Sequence, residues 1–185
     1  MDYILPIASV VALVTLRLLE LGTNRKTVAG PVKEQMTFWL FMFAGLFLFV
    51  FGITEFLVTG RGLFWPAYLV GAISGIASFA LRRRAIAALG RFWSLHVEIR
   101  DNHEFVQSGP FRWMRHPTYC SMVLELIAMA CMLNAVYSAL VSFLFFVPTL
   151  FIRVKLEERA LVEKFGEAYH NYQKSTPAIF PWKLK

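Results

Sequence analysis

Charge is scarce in this chain. Asp, Glu, Lys and Arg make up 17% of its 185 residues, against about 25% in an ordinary soluble domain. Cysteine occurs twice, as Cys120 and Cys131. Eleven positions apart on one helix, the two would differ in height by about 16 Å, so they cannot bridge each other and read as small apolar filler. No CxxC or HExxH is present, and His96, His103, His116 and His170 have no metal-ligand spacing; no metal site is expected. No GxGxxG follows a strand pattern, which removes the signature of a soluble nucleotide-binding α/β domain.

What remains is apolar. Hydrophobic residues are 57% of the chain and aromatic residues 16%, above the roughly 45–50% apolar content of soluble domains. Five apolar segments can be drawn: 3–21, 37–58, 63–81, 119–133 and 136–152. A helix needs about 20 residues to cross the hydrocarbon core, with about 17 as the lower limit. The first three qualify. The last two are shorter, are joined by little more than Asn134-Ala135, and predict a tight helical hairpin. The first segment lacks a positive start and carries Arg17 and Glu20 at its far end, so it reads as a retained span rather than a signal peptide.

The net charge of +7 is distributed beside these segments, which suits membrane flanks and gives no reason to expect nucleic acid. Residues 22–36, 82–117 and the tail from Arg153 hold seventeen Lys and Arg residues, whereas the opposite side has only Arg61. That asymmetry predicts the N-terminus outside and the C-terminus in the cytoplasm. The expected fold is an all-α polytopic membrane protein of five transmembrane helices, a single domain over 1–185 with three spans in 1–88 and a core in 89–182.

Several polar features interrupt this plan. Ala67, Gly71 and Gly75 recur every four positions, which lets a neighbouring backbone approach closely within one chain; a monomer is expected. Glu125 lies mid-span, at a cost of roughly 2.5–3.5 kcal/mol on insertion scales unless it faces a partner or a polar cavity. Arg82-Arg83-Arg84 reads as a topology determinant with access to anionic head groups. Residues 95–100 alternate with a period of two, and 103–106 could return as a second short strand. After Ile152, Val154, Leu161, Phe165, Ala168, Tyr169 and Tyr172 fall near one helical face. Arg153 and Glu157, four apart, point the same way, at the mouth of the fifth span.

The ordered set Leu89-Gly90-Arg91-Phe92-Trp93-Ser94, Gly109-Pro110-Phe111, Arg115-His116-Pro117-Thr118-Tyr119, Arg153, Glu157-Glu158 and Phe165-Gly166-Glu167-Ala168-Tyr169, with Tyr172, resembles the isoprenylcysteine carboxyl methyltransferase family of integral membrane enzymes. The resemblance covers about half the chain. It implies S-adenosylmethionine as cofactor, with S-adenosylhomocysteine as product, in a cytoplasmic pocket formed by the 91–119 segment and an amphipathic C-terminal helix. It also implies contacts to that cofactor from His103, Glu104, Phe105, Val106, Phe111, His116, Pro117, Thr118, Tyr119 and Glu157. Arg153 matches the catalytic residue assigned to the substrate carboxylate. Ser121 stands where the family motif commonly has Gly.

The residue chemistry suits those roles. Glu157 can accept charge-assisted hydrogen bonds from an ammonium or a ribose diol. Pro117 fixes a rigid turn, and amides at the following helix start are natural anion donors. A carboxylate acceptor is ionised at neutral pH and needs no strong base, so catalysis reduces to alignment and exclusion of water. The implied acceptor is a lipophilic molecule or lipidated group from the bilayer, such as a prenylcysteine-type carboxyl. The implied location is the plasma membrane of a prokaryote or the endoplasmic reticulum of a eukaryote. An NADPH-dependent sterol-type reductase and a non-enzymatic lipid-binding membrane protein remain open as alternatives.

Overall fold

The structure, a computed structural model, describes residues 3–23, 35–90 and 106–181. Among these are six α-helices and no strand: α1 (Ile4–Leu21), α2 (Met36–Thr59), α3 (Trp65–Leu89), α4 (Pro117–Met132), α5 (Val136–Phe165) and α6 (Glu167–Ser175). A short 3-10 turn, Gly109–Arg112, precedes α4. The strand pairing expected over 95–106 lies, except for Val106, outside the described residues.

Helices α1, α2 and α5 are long and apolar enough to cross a membrane. Their outward faces are as apolar as their inward ones. On α2, Thr37, Phe41, Ala44, Leu48, Gly52 and Phe56 are buried along one stripe, while Trp39, Phe43, Leu46, Val50, Phe51 and Leu57 are exposed. A helix apolar all round is stable only in a deep core or in lipid. The fourth apolar segment forms a helix of 16 residues.

Helix α4 lies along α3, and α5 along α2. The tight α4–α5 hairpin is therefore only half realised: the link is short, with Asn134 at φ +49°, but each helix takes another partner. Small residues on α3 decide this. A Cβ at Gly71 would sit 2.8 Å from the Met132 amide nitrogen and 2.9 Å from the Ala128 carbonyl oxygen, so α4's backbone occupies the space a side chain would need. Farther along the contact, buried Ser78 donates its hydroxyl to the Ser121 carbonyl at 2.7 Å. Ser121 folds its own hydroxyl onto the Thr118 carbonyl at 2.6 Å, which keeps the approach close with serine in place of glycine.

Charges inside the bundle are paired across helices. Glu125 of α4 meets Arg82 of α3 at 3.1 Å and Arg17 of α1 at 3.7 Å, and Arg17 also reaches Glu20 at 3.5 Å. Arg82 is buried. It is thus an internal counter-ion, and the reading of the three arginines as one head-group-facing block is corrected at this position. At the far end of α2, Glu55 accepts hydrogen bonds from the Tyr137 and Ser138 amides and from the Ser138 hydroxyl. These are among the first amides of α5, which have no partner within their own helix.

Helix α5 runs 30 residues without interruption, about 45 Å at 1.5 Å per residue. The expected continuity of the apolar run 136–152 with the charged stretch after it is therefore present. It ends sooner than the amphipathic pattern implies. Gly166, at φ +53°, turns the chain, and Tyr169 and Tyr172 belong to the separate helix α6, where both are buried.

The α3–α4 contact makes a contrast between two glycines. Gly71→Ala is expected to destabilise the protein by about 1–3 kcal/mol, as overpacking against backbone does. Gly75→Ala, whose added Cβ would find only side-chain carbons at 3.5–3.6 Å, is expected to be neutral. Thermal unfolding in detergent measures both.

Candidate functional site

Residues from the starts of α2 and α4 and from the second half of α5 converge on Tyr119. Proline at the first position of α4 fixes φ where a helix needs it and removes an amide that would have no helical partner. Two residues later, the Tyr119 hydroxyl donates to Glu157 Oε2 at 2.6 Å and accepts from Arg153 Nε at 3.2 Å. Arg153 Nη1 donates to the Thr37 hydroxyl at 2.9 Å. The guanidinium is buried, its residue only 3% exposed, whereas the Glu157 side chain is 34% exposed. A relay runs from a buried cation through a phenol to a half-exposed carboxylate.

Adjacent residues on a helix point about 100° apart, so Glu157 and Glu158 serve two clusters. Glu158 Oε1 accepts from Arg115 Nε at 2.7 Å and lies 3.0 Å from His116 Nε2; Gln173 of α6 donates to its other oxygen at 3.0 Å. Burial pushes the Glu158 carboxyl up, but the hydrogen bonds and charges of His116 and Arg115 outweigh it and hold the group below its ordinary value. His116 is buried, stacks on Tyr119 with ring centroids 5.4 Å apart, and has Nδ1 3.7 Å from Glu157 Oε2. The histidine therefore bridges the two carboxylates.

The C-terminal segment closes this cluster from outside. Arg115 Nη1 donates to the carbonyls of Gln173, at 3.1 Å, and Thr176. The Arg115 and His116 amides donate to Pro177 and Ala178 at 2.9 and 2.8 Å. The Tyr172 hydroxyl donates to the Phe111 carbonyl at 2.5 Å. Residues 172–178 are thus stitched to residues 111–116, end to end.

The model of the isoprenylcysteine carboxyl methyltransferase (ICMT) family matches residues 70–163, from α3 through almost all of α5 and half of the chain. The chain belongs to this family. Among curated relatives it is 30% identical to an uncharacterized protein, YpbQ, of Bacillus subtilis, over 48% of this chain and 56% of that one. It is 32% identical to the cobalt-zinc-cadmium resistance protein CzcN of Cupriavidus metallidurans, over 52% and 45%. With protein-S-isoprenylcysteine O-methyltransferase A of Arabidopsis thaliana the identity is 30%, over 64% and 61%. The chain spans about half the length of the curated relatives it matches first. Family membership and the apolar helices together make it an integral membrane protein.

Of the residues the family resemblance singles out, the structure brings together Arg153, Glu157, Tyr119 and His116. Pro117 is buried at the turn, and Thr118 is partly buried with its carbonyl facing Ser121. Phe111 is buried beside α6, linked to Tyr172 rather than to the Tyr119 cluster. Val106 is partly buried in irregular chain. His103, Glu104 and Phe105 lie outside the described residues. The anion-binding role for the amides at the start of α4 is reduced, because the Tyr119 and Cys120 amides both turn back to the His116 carbonyl at 3.1 Å.

Sequence reasoning left four residues without a role: Thr37, Arg115, Glu158 and Gln173. The adjacency of Glu157 and Glu158, answering the adjacency of Arg115 and His116, was the available signal for two of them. Nothing local marked Thr37 or Gln173.

Glu158 gives a pH-dependent prediction. Its lowered folded value means that its stabilisation is complete above the ordinary value of 4.5 and is lost as pH falls through the folded value. Glu158→Gln should cost roughly 1.5–3 kcal/mol near neutral pH, the range for hydrogen bonds to charged groups. It should also flatten the loss of stability in acid. Melting temperatures of both proteins between pH 7 and pH 3 measure this.

Proposed function

We propose that the protein transfers a methyl group from S-adenosylmethionine to a lipophilic carboxylate, with a prenylcysteine-type carboxyl as the leading candidate. The observation that carries the reading is the buried Arg153 guanidinium tied through the Tyr119 hydroxyl to the half-exposed Glu157. A cation at 3.2 Å and an anion at 2.6 Å from one phenol can receive the two charged ends of a methyl transfer, one facing the acceptor and one the donor.

The donor set suits the cofactor. Glu157 has one oxygen engaged by Tyr119, and its exposure leaves the carboxylate accessible to an ammonium or a ribose diol. The stacked His116 and Tyr119 rings add an aromatic wall beside it. When bound, S-adenosylmethionine supplies an electrophilic methyl on sulfonium. Arg153 binds and orients the acceptor carboxylate, a task for which a planar two-pronged cation is suited and lysine is not. The C-terminal segment stitched to residues 111–116 excludes water from that side. No residue has to remove a proton, since the acceptor is already ionised.

The topology that fits this function has five spans, adding α3 and α4 to the three longest helices, with the N-terminus outside and the site at the cytoplasmic surface. The family relationship supports a lipidated acceptor reached from the bilayer. Val106, Phe111, Pro117 and Thr118, with the 103–105 stretch, complete the proposed cofactor contacts.

Two substitutions separate the roles. Arg153→Ala is expected to lower kcat/KM for the acceptor by at least about 100-fold, near 3 kcal/mol of transition-state stabilisation, with donor affinity kept. Glu157→Ala is expected to weaken donor binding by about tenfold, close to 1.4 kcal/mol. Titration calorimetry with S-adenosylmethionine, paired with a labelled-methyl assay on a panel of lipophilic acids, checks both. Unchanged donor affinity in the Glu157 variant would remove its role.

A further inference from the structure

We infer that Thr37, in the first turn of α2, is a positioning residue for the acceptor carboxylate, acting through Arg153. The inference rests on the reading of Arg153 given above and extends the site to a helix outside the family-matched residues 70–163.

Thr37 is fully buried. Hydroxyls elsewhere on these helices commonly fold back onto the carbonyl four residues earlier, as those of Ser9, Thr54, Thr59 and Thr149 do at 2.7–2.9 Å. Such bonds are local and tie nothing together. The Thr37 oxygen takes a hydrogen from Arg153, 116 positions away in the chain, a contact of a different kind. A guanidinium only donates, so the direction of this bond is fixed.

The consequence for Arg153 is geometric. Its Nε is held by the Tyr119 hydroxyl and its Nη1 by the Thr37 hydroxyl. Two contacts on different nitrogens of a planar group fix the plane's rotation, and a bidentate carboxylate must meet that plane edge-on. Both of these contacts are hydroxyl oxygens. Phe41, one turn farther along α2, packs on the Tyr119 ring with centroids 6.2 Å apart. One face of α2 therefore sets both the arginine and the phenol that orients it. Misplacement of about an ångström can cost on the order of 100-fold in rate.

The test compares Thr37→Val, which keeps the shape and removes the hydroxyl, with Thr37→Ser, which keeps the hydroxyl and removes the methyl. Both are assayed as full-length protein in detergent. The donor is S-adenosylmethionine and the acceptor is whichever lipophilic acid the wild type methylates. Thr37→Val is expected to lower kcat/KM for the acceptor by roughly 10–100-fold, the range for a hydrogen bond to a charged group. Its affinity for S-adenosylmethionine by calorimetry should stay within about twofold of wild type, and Thr37→Ser should recover most of the activity. If the valine variant cannot be purified, Thr37→Ala takes its place in the same comparison.

The inference is overturned if removing the hydroxyl leaves the acceptor kinetics unchanged. It is equally overturned if donor affinity falls in parallel, or if serine loses as much as valine, since either would mark Thr37 as packing alone. A wild type that binds the donor and methylates no lipophilic acid would take down the reading of Arg153 and this inference with it. An active wild type indifferent to the hydroxyl would take down this inference only.

Discussion

The hydroxyl of Tyr119, set between Arg153 and Glu157, is the interaction on which the meeting of α2, α4 and α5 depends. A buried guanidinium needs partners, because an unpaired charge in a low-dielectric interior costs several kcal/mol. Arg153 finds them on two other helices, at Tyr119 of α4 and Thr37 of α2. Satisfying one cation therefore draws the starts of α2 and α4 to the second half of α5. The phenol passes the interaction on to Glu157, the most exposed member of the group, which connects the interior to the face where a polar ligand would approach.

The same rule operates away from the site. Glu125 is satisfied by Arg82 and Arg17, which ties α4 to α3 and α1. Glu55 caps the first amides of α5 from the end of α2. Along α3, Gly71 admits the backbone of α4. These contacts fix the height and rotation of α4, whose first turn carries the His116-Pro117-Thr118-Tyr119 motif. Packing deep in the bundle thus determines where the site residues stand.

Much of this was legible from residue patterns. Long apolar runs located α1, α2 and most of α5, and the four-residue spacing of Gly71 and Gly75 announced a close helix contact. The i, i+4 spacing of Arg153 and Glu157 put them on one face, and the family motifs joined them to Tyr119. The partner choices were not legible. That α4 lies along α3 instead of α5 depends on backbone approach at Gly71, which spacing alone does not assign to a neighbour. Arg82 looked like its neighbours Arg83 and Arg84, because burial of one arginine in three follows from rotation of the helix in the bundle. Thr37 carried no mark, since a threonine near a helix start is common and its contact is 116 residues distant in the chain. The return of residues 176–178 to pair with Arg115 and His116 uses backbone groups, which no side-chain pattern reveals.

The central claim is that the Tyr119 junction forms one side of a site for a sulfonium nucleoside. Titration calorimetry of the wild type and Tyr119→Phe with S-adenosylmethionine tests it most directly. The account predicts saturable binding at one site per chain, weakened about tenfold when the hydroxyl that orients Glu157 is removed, or roughly 1.4 kcal/mol. Absence of binding to the wild type, or equal affinity for both proteins, would contradict it.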